Sequence, residues 1–70
     1  MTYNIGDCVE AGWYGEGVVV DKKIAWGASV SYRVQKMPGD SLWFYIFSLT
    51  TPPEDKWHEI KIRANGNYVP

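Results

Sequence analysis

Apolar and polar residues alternate with a period of two along much of this chain. Val30, Tyr32 and Val34 alternate with Ser31, Arg33 and Gln35, the pattern of a strand with one face buried and one in water. Cys8 to Ala11 alternates as well, with Val9 and Ala11 on one face and Cys8 and Glu10 on the other. His58 to Arg63 does so again, which predicts a strand with Ile60 and Ile62 inward and His58, Glu59, Lys61 and Arg63 mostly outward. Ser41 to Thr50 is apolar on both faces: Leu42, Phe44 and Ile46 share one, while Trp43, Tyr45, Phe47 and Leu49 share the other. Both faces of that segment are covered, or one is adhesive. Val18-Val19-Val20 is β-branched with no polar partner, so it is either a strand buried on both faces or one that curls across a barrel.

Turn signals separate these segments at intervals of about ten residues, as in small all-β domains. Asn4-Ile5-Gly6-Asp7 opens the first segment, and Gly12, Gly15 and Gly17 break the chain after it. Trp26-Gly27-Ala28-Ser29 stands between the second and third. Met37-Pro38-Gly39-Asp40 is the clearest turn, because Pro presets the first central position and Gly supplies the positive φ of the second. Thr51-Pro52-Pro53-Glu54-Asp55-Lys56 cannot pair as a strand, since proline donates nothing to a ladder, and it suits a short 3₁₀ or helical turn. Asn65-Gly66 reads as a further tight turn before Tyr68-Val69-Pro70. No segment keeps a helical period over the twelve or so residues that a stable isolated helix needs. The reading is all-β: a five-stranded barrel with a short 3₁₀ or helical turn before its last strand.

Length sharpens this picture. Seventy residues make one domain, spanning 1–70, whose core supplies no more than about 3–5 kcal/mol. Cys8 is the sole cysteine, so no disulfide can staple the chain, which fits a reducing compartment. No basic start followed by an apolar stretch suggests secretion, and no run approaches the ~18 apolar residues of a membrane span. The expected location is cytoplasmic, or nuclear in a eukaryote. Seven basic and eight acidic side chains give a net charge of -1, which argues against a broadly basic, nucleic-acid-binding surface and leaves only local clusters. Lys22-Lys23 forms one; Lys56, Lys61 and Arg63 form another, with Arg33 and Lys36 between them.

The run Gly6-Asp7-Cys8-Val9-Glu10-Ala11-Gly12-Trp13-Tyr14-Gly15-Glu16-Gly17-Val18, with Tyr32-Arg33-Val34 and Gly39-Asp40-Ser41-Leu42-Trp43 after it, resembles the SH3-like barrels of the Tudor and agenet type. That resemblance covers roughly residues 5 to 50. It implies ligand binding through an aromatic cage that takes methylated lysine or arginine. Carried over by position, the cage residues are Trp13 and Tyr14 in the first loop and Trp43 with Tyr45 opposite, with Asp40 or Glu16 as the nearby anion. Ser48-Leu49-Thr50 stands where such cages usually close with an acidic residue or Asn. The same start and order are also similar to the small plasmid-borne dihydrofolate reductases, whose tetramers share one active pore. Their Val-Gln-Ile-Tyr strand is replaced here by Trp43-Phe44-Tyr45-Ile46.

Chemistry-bearing residues are sparse. His58 and Cys8 are the only soft metal ligands, too few for a zinc site of four. As a nucleophile Cys8 would need His58 as its base, with a small buried hydrophobe as the plainer role. Asp21, Asp40, Glu54 and Asp55 sit in turn contexts where carboxylates bond local backbone. No catalytic residue, metal or cofactor is expected. The surplus lies in eleven aromatic rings, more than so small a core can hold. Tyr32, Phe44 and Trp57 suit the core by period, and Trp13, Trp26, Trp43 and Tyr45 suit a surface patch. The leading expectation is a non-enzymatic module that binds a protein or peptide through Trp13, Tyr14, Trp43, Tyr45 and Asp40. A second is single-stranded nucleic-acid binding in a groove using Lys22, Lys23, Arg33 and Lys36. The third is an oligomeric enzyme with a shared aromatic-lined pocket, and a homo-oligomer is expected on the strength of the exposed rings.

Overall fold

A computed structural model describes residues 2–24, 27 and 29–66. The chain is mostly β: four antiparallel strands in the order β1 (Cys8–Glu10), β2 (Glu16–Ile24), β3 (Val30–Met37) and β4 (Asp40–Tyr45). Each pairs with its sequence neighbour, as short turns between alternating segments require. Met37-Pro38-Gly39-Asp40 makes the β3–β4 turn as expected, with Gly39 at φ +80°.

One face of the sheet wraps the main core. Val9, Val19, Tyr32 and Val34 lie fully buried there, with Tyr3, Ala11, Tyr14 and Leu49 closing around them. Two hydrogen bonds stitch this core to chain outside the sheet: the Tyr3 N–H donates to the Tyr32 hydroxyl at 3.0 Å, and the Tyr3 hydroxyl donates to the Leu49 carbonyl at 3.2 Å. Gly17 lets β2 approach β3 closely, because a Cβ there would lie 2.6 Å from the Gln35 carbonyl oxygen. The valine run resolves into three environments: Val18 half-buried, Val19 buried, and Val20 exposed as the extra residue of a bulge between Val19 and Asp21.

Two expectations need correction. The predicted strand at Ser41 to Thr50 ends at Tyr45, where a 3₁₀ turn over Ile46–Ser48 breaks the alternation and sends Leu49 into the core. The predicted fifth strand at His58 to Arg63 is an α-helix, α1 (Trp57–Ala64), entered from a 3₁₀ turn at Glu54–Lys56. Trp57, Ile60 and Ala64, spaced three and four apart, form the face it turns to the sheet. Acidic Glu54, Asp55 and Glu59 near its start and Lys61 and Arg63 near its end suit the helix dipole. Gly66 at φ +80° stops it, so Asn65-Gly66 ends a helix instead of joining strands. A Cβ on Gly66 would lie 2.9 Å from Pro38, which shows how closely the helix end abuts the β3–β4 turn.

The helix covers the other face of the sheet at one end, over the row Cys8, Val18 and Gln35. The Gln35 side-chain amide donates to the Ala64 carbonyl at 2.9 Å, the Cys8 thiol lies 3.6 Å from the Trp57 carbonyl, and Arg63 meets Glu16 at 3.5 Å. The two edges of the sheet differ. After the Ile46–Ser48 turn, Thr50 bridges back antiparallel to Glu10, each N–H donating to the other's carbonyl at 2.8 and 3.0 Å. That ties down the short β1 edge, whereas no backbone hydrogen bond of the described residues leaves the outer side of β4. No helix among the described residues is long and apolar enough to cross a membrane.

The helix makes two isoleucines unequal that a strand would make equivalent. Ile60→Ala is expected to cost about 2–5 kcal/mol in urea unfolding, for the lost transfer energy and the cavity left behind. Ile62→Ala, at a half-exposed position, is expected to cost no more than about 1 kcal/mol.

Candidate aromatic edge of the sheet

The edge strand β4 has no charge and no proline from Ser41 to Tyr45. Proteins usually blunt a free edge with charges, bulges or prolines, because its open N–H and C=O groups template pairing with another chain. The outer stretch of β2, Val20–Ile24, is defended in that way: it reaches beyond its pairing with β1 and carries the Val20 bulge with Asp21, Lys22 and Lys23. From Ser41 to Tyr45 β4 carries no charge, proline or bulge of its own, and aromatic side chains flank it on both faces.

On the core side, Trp13 from the first loop leans over Phe44 at 6.4 Å and over Tyr14 at 6.0 Å between ring centroids, while Tyr14 and Phe44 lie 5.4 Å apart. Gly12, at φ +51°, opens the short 3₁₀ turn Gly12–Tyr14 that lifts Trp13 outward and tucks Tyr14 under it. Trp13 is 85% exposed and Leu42 beside this cluster 41%. Tyr14 is buried and its hydroxyl donates to the Asp40 carboxylate at 2.6 Å. Burial, and then the hydrogen bond and negative charge of Asp40, push the Tyr14 pKa up from 10 to about 12. Lys36 places its ammonium 5.4 Å from the Tyr14 ring.

On the opposite face, Trp43 and Tyr45 are 39% and 60% exposed. Cross-strand rows put Trp43 beside Arg33 and then Asp21, and Tyr45 beside Ser31 and then Lys23. Lys23 reaches across β3 and holds its ammonium 4.6 Å from the Trp43 ring. The Arg33 Nε–H donates to the Ser41 hydroxyl at 2.7 Å, which draws that guanidinium toward β4 as well. Asp21 turns its carboxylate to the Lys22 N–H at 2.8 Å. The sole ion pair among the described residues joins Arg63 to Glu16, so neither Lys23 nor Arg33 has a carboxylate partner there.

The five predicted ligand residues therefore fall around one edge but on two faces. Trp13, Tyr14 and Asp40 come together with Phe44, which its period had assigned to the core; Trp43 and Tyr45 stand on the other side of the strand with Lys23 and Arg33. No ring contact among the described residues links the two groups. The predicted basic groove is likewise divided: Lys23 and Arg33 share a face, Lys22 pairs opposite Tyr32 on the other face, and Lys36 sits by Tyr14. Trp26 and Tyr68 lie outside the described residues. Sequence reasoning did not single out Ser41 as the residue that holds Arg33; an arginine and a serine diagonal to each other on one face of a tight hairpin were the available signal.

Elsewhere, Cys8 is wholly buried beneath α1, where burial pushes its thiol pKa up, and His58 is exposed on the helix. A desolvated thiol with a raised pKa is a poor nucleophile. Near the mouth of the core a cavity of about 790 Å³ is lined mainly by Tyr3, Val30, Ile46, Phe47 and Leu49, without an acid–base pair. No protein-family model matches the chain, and neither the curated proteins nor the solved structures include a significant match.

Because the folded state holds the Tyr14 proton more tightly than the unfolded chain, its contribution to stability is fully present below pH 10. It is lost as pH rises from 10 to about 12. Thermal unfolding followed between pH 9 and 12 is expected to show a fall in Tm that is shallower in Tyr14→Phe; equal slopes for the two proteins would refute the assignment.

Proposed function

We propose that this chain is a non-enzymatic binding module that takes an extended protein segment as an added strand on the free edge of β4. The observation that carries this reading is the contrast between the two open strand stretches. Charges and a bulge defend the outer part of β2, whereas β4 from Ser41 to Tyr45 carries no charge and is flanked by Trp13 and Leu42 on one face and Trp43 and Tyr45 on the other. In strand addition, main-chain hydrogen bonds supply much of the affinity and side-chain pockets on alternate faces supply selectivity. Aromatic residues flanking an edge are suited to both, since they shield the new hydrogen bonds from water and bury large areas at low entropic cost.

The same reading takes the fold as an SH3-like barrel left partly open. The 3₁₀ turn after β4 and the antiparallel Thr50–Glu10 bridge support it, with the fifth strand shrunk to Thr50 and α1 added after it. A preassembled methyl-lysine cage is less well supported. Tyr14 is already hydrogen-bonded to Asp40, the predicted rings divide between two faces, and the chain's own Lys23 occupies the face of Trp43.

Decapeptides selected from a random library on the purified protein are expected to protect β4 amides from hydrogen exchange. Trp43→Lys, a charge placed on the bare edge, is expected to weaken the selected peptides by about tenfold or more, equivalent to about 1.4 kcal/mol. It should leave the chain folded with a loss of no more than about 1–2 kcal/mol in urea unfolding, since the ring is partly covered and Lys23 lies against it. Val20→Lys, on the edge already defended, is expected to bind as the parent does. Protection mapping to α1 or β2 instead would sink the edge reading.

A further inference from the structure

Resting on the strand-addition reading, we infer that the segment β4 accepts alternates apolar and acidic side chains, with the apolar set toward Trp13 and Leu42 and the acidic set toward Lys23 and Arg33.

An added strand lies about 4.8 Å beyond β4, and its side chains point alternately to the two faces of the enlarged sheet. On the core side they meet Trp13, which is largely exposed, and Leu42, which is partly exposed, and neither is charged. On the other side they meet Trp43 and Tyr45, above which two cations have been drawn toward the edge. Lys23 originates on β2, two strands away, yet its ammonium lies 4.6 Å from the Trp43 ring. Arg33 originates on β3 and is anchored to Ser41 of β4 through Nε, which leaves the terminal guanidinium nitrogens free to face a carboxylate. A residue directly opposite Trp43 on an added strand has its Cβ about 4.5–5.5 Å away, so a glutamate there reaches the space over the ring where the Lys23 ammonium sits. The nearest acid in the same row, Asp21, is bonded to the Lys22 backbone and makes no ion pair with Arg33 among the described residues. Lys23 and Arg33 outnumber Asp21 on this face, which therefore carries a local excess of positive charge in a protein of net charge -1. An approaching basic segment would meet like charge at both positions.

The test uses three labelled hexapeptides, each with valine at alternate positions and glutamate, serine or lysine between them, titrated into the intact protein by fluorescence anisotropy. The glutamate peptide is expected to bind at least about tenfold tighter than the lysine peptide at low salt, with the gap narrowing in 0.5 M salt as screening shortens. In the charge-reversed variant Lys23→Glu with Arg33→Glu, both exposed positions, the order is expected to invert while the urea midpoint stays close to the parent's. Equal binding of all three peptides, with β4 amides protected, would overturn the acidic preference and keep the edge reading. Failure of every peptide to protect β4 would remove both. Concentration-dependent dimer formation that excludes the peptides would make a second copy the occupant, and displacement of the glutamate peptide by oligothymidine would make the anion a nucleic acid; each result overturns the inference.

Discussion

The antiparallel bridge between Glu10 and Thr50 is the constraint on which the rest of this small structure depends. Two backbone hydrogen bonds contribute only about 1–3 kcal/mol together, but their position matters more than their strength. They bring the chain that leaves β4 back to β1 at the far side of the sheet, which bends four strands around one core and lets Leu49 and Tyr3 seal it. They also send the chain on toward the opposite face, where Pro52 and Pro53 forbid further pairing and α1 forms. A chain with so little core must use both faces of its sheet, and the bridge makes that possible.

The cost of this arrangement is asymmetry. Tying β1 leaves β4 as an edge with no partner among the described residues, and the helix covers only the end of the second face that lies over Cys8, Val18 and Gln35. What remains open is the other end of that face together with the β4 edge, and there the chain places its unabsorbed aromatics. The two sides of the edge differ in chemistry because β-structure alternates. Odd positions on β3 and β4 carry Arg33, Trp43 and Tyr45, whereas even positions carry Tyr32, Leu42 and Phe44. Lys23 and Arg33 add polarity by lying across the strands, one held by the Trp43 ring and one by the Ser41 hydroxyl.

Much of the sheet was legible in the sequence. The alternation of Val30, Tyr32 and Val34, the β-branched run at Val18–Val20 and the Met37–Asp40 turn led to β2, β3 and β4, and the opposite facing of Val9 and Cys8 was readable as well. The helix was not, because eight residues show barely two helical turns, and in that span Ile60 and Ile62 mimic strand alternation. Trp57 and Ala64, which complete the helical face, lay outside the predicted strand, although Trp57 already suited the core. The aromatic surplus was visible from composition, and Trp13, Trp43 and Tyr45 were placed at the surface. Their division between two faces was not resolved, although the period-two rule that separates Trp43 from Phe44 also separates Trp43 from a Trp13 ring resting on Phe44.

By itself the sequence determined the segments that became β1, β2, β3 and the start of β4, the Met37–Asp40 turn, the lack of any disulfide staple and the surplus of rings over core volume, since these depend on local spacing and composition. Only the tertiary structure decided which strand edge is tied and which is free, that His58 to Arg63 folds as a helix over the second face, and that Lys23 and Arg33 lie on the Trp43 side of β4. Those outcomes turn on contacts between residues far apart in the chain, such as Glu10 with Thr50, Gln35 with Ala64 and Tyr3 with Leu49. Local pattern specifies which face a side chain takes, and long-range pairing specifies what covers that face.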